Sequence, residues 1–134
     1  MSGDPELERL LQERQRELMK GGKKPSGGIV ELSRANFEAF ISGERPAVVD
    51  FWAEWCYPCR IMHPILERLS STMNGRVAFG RLNVDENPDL ASKYDVYSIP
   101  TFIVFSKGRE LGRLIGARPE RQFRAELEKL LERA

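Results

Sequence analysis

The chain has few residues of the kinds that hold metals. Its 134 residues include two cysteines and one histidine, whereas a structural zinc site wants four ligands. Cys56, Cys59 and His63 could supply three, and the sequence names no fourth. Strong net charge is missing too: a formal +1 excludes a nucleic-acid binder that works through bulk electrostatics. No apolar run approaches the roughly 20 residues of a membrane span. The opening stretch mixes acids and bases and lacks the apolar centre of a secretory leader, so the cytoplasm is the expected address. Cysteines this few do not make a disulfide framework; in a cytosolic chain they point to catalysis or metal binding. There is no internal repeat and no low-complexity tract.

What is present describes a soluble globular protein, 41% apolar and 31% charged, long enough to bury one core. Residues 1–28 read apart from the rest. Asp4 and Pro5 open a helix of about residues 4–20, and the glycine-rich run from Gly21 to Gly28 is linker chemistry. This extension is expected to be a tethered surface helix, with a docking or self-association helix as the alternative. The domain proper is placed at 29–134. In it, "IVEL" reads as a strand, and Ser33 is expected to cap a helix carrying Phe37, Phe40 and Ile41. "PAVVDFWA" (46–53) reads as a buried central strand. A helix follows with Ile61, Ile65, Leu66 and Leu69 inward. "RVAFGRLNVD" is a second buried strand, and Asn87–Pro88 start a short helix. "TFIVF" and "ELGRLIG" form a hairpin around Gly108. A last helix from Arg118–Pro119 turns Phe123, Leu127, Leu130 and Leu131 inward. The order implies an α/β fold: a mixed sheet with helices on both faces.

Both cysteines stand in "WCYPC", directly after the central strand. Pro58 marks a helix start, so Cys56 sits at a helix N-terminus, where unpaired N–H groups and the helix dipole favour a thiolate. That makes Cys56 the nucleophile. Cys59 returns one turn later, expected deeper and less exposed, as the resolving thiol. Such a pair can attack a disulfide, form a mixed disulfide and close on itself. Asp50 is the other unusual residue, an acid inside an apolar strand. Burial raises its pKa towards a range useful for proton transfer. Arg81 is the obvious counter-charge, and a purely structural buried ion pair is the plainer alternative. His63 is assigned no role.

From Ile29 onwards the chain resembles the thioredoxin family. The resemblance is carried by "DFWAEWC", Pro58–Cys59, Pro64, "LNVDENP", "SIPTF" and Gly116–Ala117, in that order. It implies the thioredoxin fold, a reversible Cys56–Cys59 disulfide, no metal and no bound cofactor. Asp50 would be the buried acid and base beneath the cysteines. Pro100 would be a cis-proline, with the backbone of Ile99 pairing an extended substrate. Trp55, Tyr57, Pro58, Gly116 and Ala117 would meet the substrate, while Trp52, Arg81 and Pro64 would support the site. The implied activity is reduction of protein disulfides, with electrons from a flavin- and NADPH-dependent thioredoxin reductase, in a protein expected to be a monomer.

Three features depart from the family pattern. Tyr57 stands where glycine is usual, and its hydroxyl is expected to donate to the Cys56 thiolate and make the disulfide a stronger oxidant. Arg81 replaces a lysine, and arginine does not give up its proton. Residues 1–28 are additional. Tyr57 keeps a disulfide oxidase or isomerase open as an alternative. The N-terminal helix keeps open a binding module with an incidental dithiol.

Overall fold

The computed structural model describes residues 28–73 and 75–134; the expected helix at 4–20 and the linker up to residue 27 lie outside them. The described chain runs β1 (Val30–Leu32), α1 (Phe37–Ile41), β2 (Ala47–Trp52), α2 (Tyr57–Thr72), β3 (Ala78–Asn83), α3 (Pro88–Lys93), β4 (Thr101–Ser106), β5 (Arg109–Ile115) and α4 (Glu120–Leu131). The five strands form one sheet in the order β1-β3-β2-β4-β5. β2 lies parallel to β3 and antiparallel to β4, so the sheet is mixed.

Side chains alternate across a strand, and β2 shows what that does here. Val48 packs with α2 and α4, against Met62, Leu66, Phe79 and Phe123. Val49 and Phe51 point the other way, into the layer formed with Phe37, Ile41 and Leu90. Six phenylalanines are essentially fully buried between these layers, each contributing about 1.5–3 kcal/mol through burial. That is the apolar reserve against which one buried charge, Asp50, has to be set. β4 and β5 are joined through Lys107 and Gly108, with φ of 52° and 83°; positive φ at both residues is the turn whose twist matches a hairpin, and glycine takes it freely.

Two local expectations are corrected. Ser33 does not cap a helix from its own position: its hydroxyl accepts from Ala35 N–H, Asn36 precedes the helix, and α1 is only five residues long. Ile61 is not inward but 46% exposed, and Met62 takes the core position. One residue on a helix is about 100° of rotation, and Pro58 within the first turn fixes where the count begins. Pro64 sits inside α2, where it lacks the N–H for Arg60's carbonyl and crowds that turn.

Candidate active site

The site is built where β2 ends. Ala53 is fully buried beside the two cysteines, and Ile99 packs against the same small cluster. Cys56 is the residue that caps α2, in extended conformation, and its sulfur accepts the N–H of Cys59 at 3.2 Å. An anionic sulfur at this position would meet helix N–H groups and the positive end of the helix dipole. The cysteines are joined as a disulfide with Cα atoms 5.3 Å apart. Both are 3% exposed, so burial does not separate them as expected. Their positions do: one caps the helix and the other lies within it. Among the described residues, no group of three or more His, Cys, Asp or Glu side chains is placed to hold a metal ion.

Two further segments converge on the cysteines. The Ile99–Pro100 peptide bond is cis. The Pro100 carbonyl accepts the N–H of Gly116 at 2.8 Å, which ties the end of β5 to the proline loop. Gly116 has φ of +96°, a conformation that side chains disfavour, and space is open where its Cβ would stand. Ala117 beside it is exposed. The large apolar residues exposed among the described residues are Trp55, Tyr57, Ile61, Tyr97 and Ile115. Every one lies within a few positions of the cysteines, the cis-proline or Gly116, and Pro58 is exposed among them. Exposed apolar surface gathered in this way marks an interaction site.

Trp55 is 69% exposed yet held: its indole N–H donates to Asp85 at 2.9 Å. Asp85 stood inside "LNVDENP", but nothing in local sequence shows that it reaches 30 positions back. Asn83 shapes this loop, accepting from the N–H groups of Asp85 and Glu86. Tyr57 is 70% exposed. Among the described residues its hydroxyl forms no hydrogen bond to Cys56, so the expected donor to the sulfur is not seen.

Asp50 is 1% exposed, on the side of β2 that α2 covers. Burial pushes its pKa from 3.8 up to about 7, against the opposing pull of Arg81. The contact ion pair with Arg81, the plainer alternative for this acid, does not form among the described residues. Asp50, Arg81 and Glu31 stand side by side in register on β2, β3 and β1. Arg81 turns to the outer acid, with Nη1 3.4 Å from Glu31 Oε2. Its guanidinium also lies over the Trp52 ring, 3.9 Å from the centroid, an arrangement that favours a delocalised cation. Asp50 Oδ1 is left without a partner. The carboxylate therefore feels Arg81 through space only, and desolvation wins.

A pair of cysteines separated by two residues, joined as a disulfide at a helix N-terminus beside a cis-proline, defines a class of thiol-disulfide exchange protein. The family model described as Thioredoxin matches residues 28–129. A thioredoxin of Alicyclobacillus acidocaldarius is 46% identical over 101 residues, covering 75% of this chain and 96% of that protein. A bifunctional thioredoxin reductase/thioredoxin of Mycobacterium leprae is 40% identical over 96 residues, covering 71% of this chain and 21% of that protein. Among solved structures, Malassezia sympodialis thioredoxin aligns with a TM-score of 0.72 at 30% identity, covering 78% of this chain and 92% of that one. The chain belongs to the thioredoxin family. It is a thiol-disulfide oxidoreductase, a disulfide reductase of the thioredoxin type.

Proposed function

We propose that Cys56 attacks the substrate disulfide, Cys59 resolves the mixed disulfide, and Asp50 takes the proton from Cys59. The Cys56 thiolate bonds to one substrate sulfur, and the other leaves as a thiolate. Cys59, deprotonated, then attacks the Cys56 sulfur. The second substrate sulfur leaves, the Cys56–Cys59 bond forms, and two electrons have passed to the substrate. The observation that carries this reading is the Cys56 sulfur capping α2 and accepting the Cys59 N–H, since that environment favours the attacking thiolate.

An extended substrate strand would run over Ile99–Pro100 and Gly116–Ala117, with Trp55, Tyr57 and Pro58 as its apolar rim. The gathered exposed aromatics support that path. Trp52, Arg81 and Pro64 support the site from behind: Trp52 carries the Arg81 guanidinium, and Pro64 shapes the helix that presents Cys59. Residues 29–134 form the working domain, acting as a monomer. Electrons come from a flavin- and NADPH-dependent thioredoxin reductase, a pairing supported by the reductase/thioredoxin fusion among the relatives. A carrier recharged in that way works in the reducing cytoplasm. The test is insulin reduction by the wild type and by Cys56→Ser. Cysteine-dependent turnover is expected, and its absence would leave a binding module with an incidental dithiol.

A further inference from the structure

Four buried side-chain atoms among the described residues have no hydrogen-bond partner: Asp50 Oδ1, Trp52 Nε1, Arg81 Nε and His63 Nδ1. They are not scattered. Asp50 and Arg81 are in register on one sheet face, and Arg81 lies over Trp52. His63 belongs to α2, the helix covering that face, and the charges of Arg81 and Glu31 both act on it. Buried polar groups are nearly always satisfied, and water is what satisfies a cluster of this kind. His63 also spans from buried to solvent-facing surroundings. Its Nδ1 is buried, while Nε2 is 3.8 Å from Oε2 of Glu67, a side chain 61% exposed. It follows Cys59 by four residues and so lies on the same stripe of α2.

We propose that His63 passes the proton of Asp50 between the buried carboxylate and solvent. The proposal rests on the assignment of Asp50 as the acceptor of the Cys59 proton. Arg81 cannot fill this role, because it does not release a proton and is engaged with Glu31. In the substrate-reducing half of the cycle, Cys59 gives its proton to Asp50. Asp50 passes it through water to His63 Nδ1, and His63 releases the proton on Nε2 to solvent. The ring is left as the Nδ1–H tautomer. When the disulfide is reduced again, Nδ1–H returns a proton to Asp50 for Cys59, and Nε2 takes one from solvent. The two halves run the imidazole in opposite directions, so it is restored without a ring flip. Arg81, Glu31 and Glu67 are the charged groups that act on it, and Asp50 stands beside Arg81 on the sheet face that its helix covers. Burial, with Arg81, holds the pKa of His63 below its usual value against the opposite pull of Glu67 and Glu31, so the ring starts neutral and able to accept.

His63 acts through Asp50 and touches no reacting atom, so the test separates the two sulfur steps. The reduced protein is mixed with a chromogenic aryl disulfide (DTNB) in a stopped-flow instrument. The first thiol released reports Cys56 attack, and the second reports Cys59 attack. At about pH 6, where Asp50 starts protonated and must pass its proton on before it can accept that of Cys59, the first release in His63→Gln and His63→Ala should keep its wild-type rate, and the second should slow about tenfold. Added imidazole should restore the second release in His63→Ala. An unchanged second release, an equal slowing of both, or slowing that imidazole does not relieve overturns the relay. A wild type lacking the second release would instead overturn the assignment of Cys59 beneath it.

Discussion

Replacing Asp50 by asparagine removes a charge that the fold holds at a cost. The folded carboxyl has a pKa of about 7 against an ordinary 3.8. Each unit is worth about 1.4 kcal/mol, so the fully ionised group destabilises the native state by about 4 kcal/mol. That is comparable to the burial of two phenylalanines. Between about pH 4 and pH 7 the unfolded chain has released this proton and the folded chain has kept it. The native state binds more protons there, so this contribution makes stability fall as pH rises, then level off above the folded pKa. The asparagine of the variant carries no such penalty, and its buried amide is no worse satisfied than the neutral acid. Oxidised wild type and Asp50→Asn should therefore be about equally stable at pH 4, with a gap opening to about 4 kcal/mol in favour of the variant by pH 8. Urea titrations at pH 4, 6 and 8 measure it. With m of about 1–3 kcal/mol per M, the pH 8 midpoints should differ by more than about 1 M. A gap that is constant across this range, or that closes as pH rises, would refute the reasoning and mean that Asp50 is ion-paired when charged. The same variant should resolve its mixed disulfide more slowly, since Cys59 loses its proton acceptor.

Three other expectations concern the cysteines, the exposed rim and the extension. Brief iodoacetamide treatment of the reduced protein should label Cys56 well before Cys59, by mass mapping; since both are equally buried here, equal labelling would show that the capping position confers no reactivity. Tyr57→Gly should change the redox potential by less than about 30 mV, the equivalent of about 1.4 kcal/mol, because the hydroxyl makes no bond to the sulfur. It should raise the KM for protein substrates; glutathione equilibration and insulin kinetics read the two effects separately. A shortened chain of residues 29–134 should fold and reduce insulin at a rate close to that of the full chain, and aggregation or lost turnover would show that residues 1–28 complete the domain.

Local chemistry determined much of this protein. An apolar strand running into Trp-Cys, with proline and a second cysteine after it, is enough to put one sulfur at a helix N-terminus. An acid among "AVV" and "FW" is enough to be buried, and Gly108 after Lys107 is enough for the hairpin turn. The family resemblance added the cis-proline, which local sequence leaves as an ordinary X–Pro bond. Tertiary structure decided which groups those residues meet. Arg81 reads in sequence as the partner of Asp50, but in the fold it pairs with Glu31, 50 positions away. That pairing depends on β1 lying beside β3 in one particular register, and register between distant strands is set by the packing of whole faces. Trp55 finds Asp85 for the same reason. A histidine before a proline carries no local signal, so His63 has no role that sequence alone can show. Its meaning comes from the sheet beneath α2, where strands remote in sequence bring an acid, a guanidinium and an indole together on one face that only the folded chain creates.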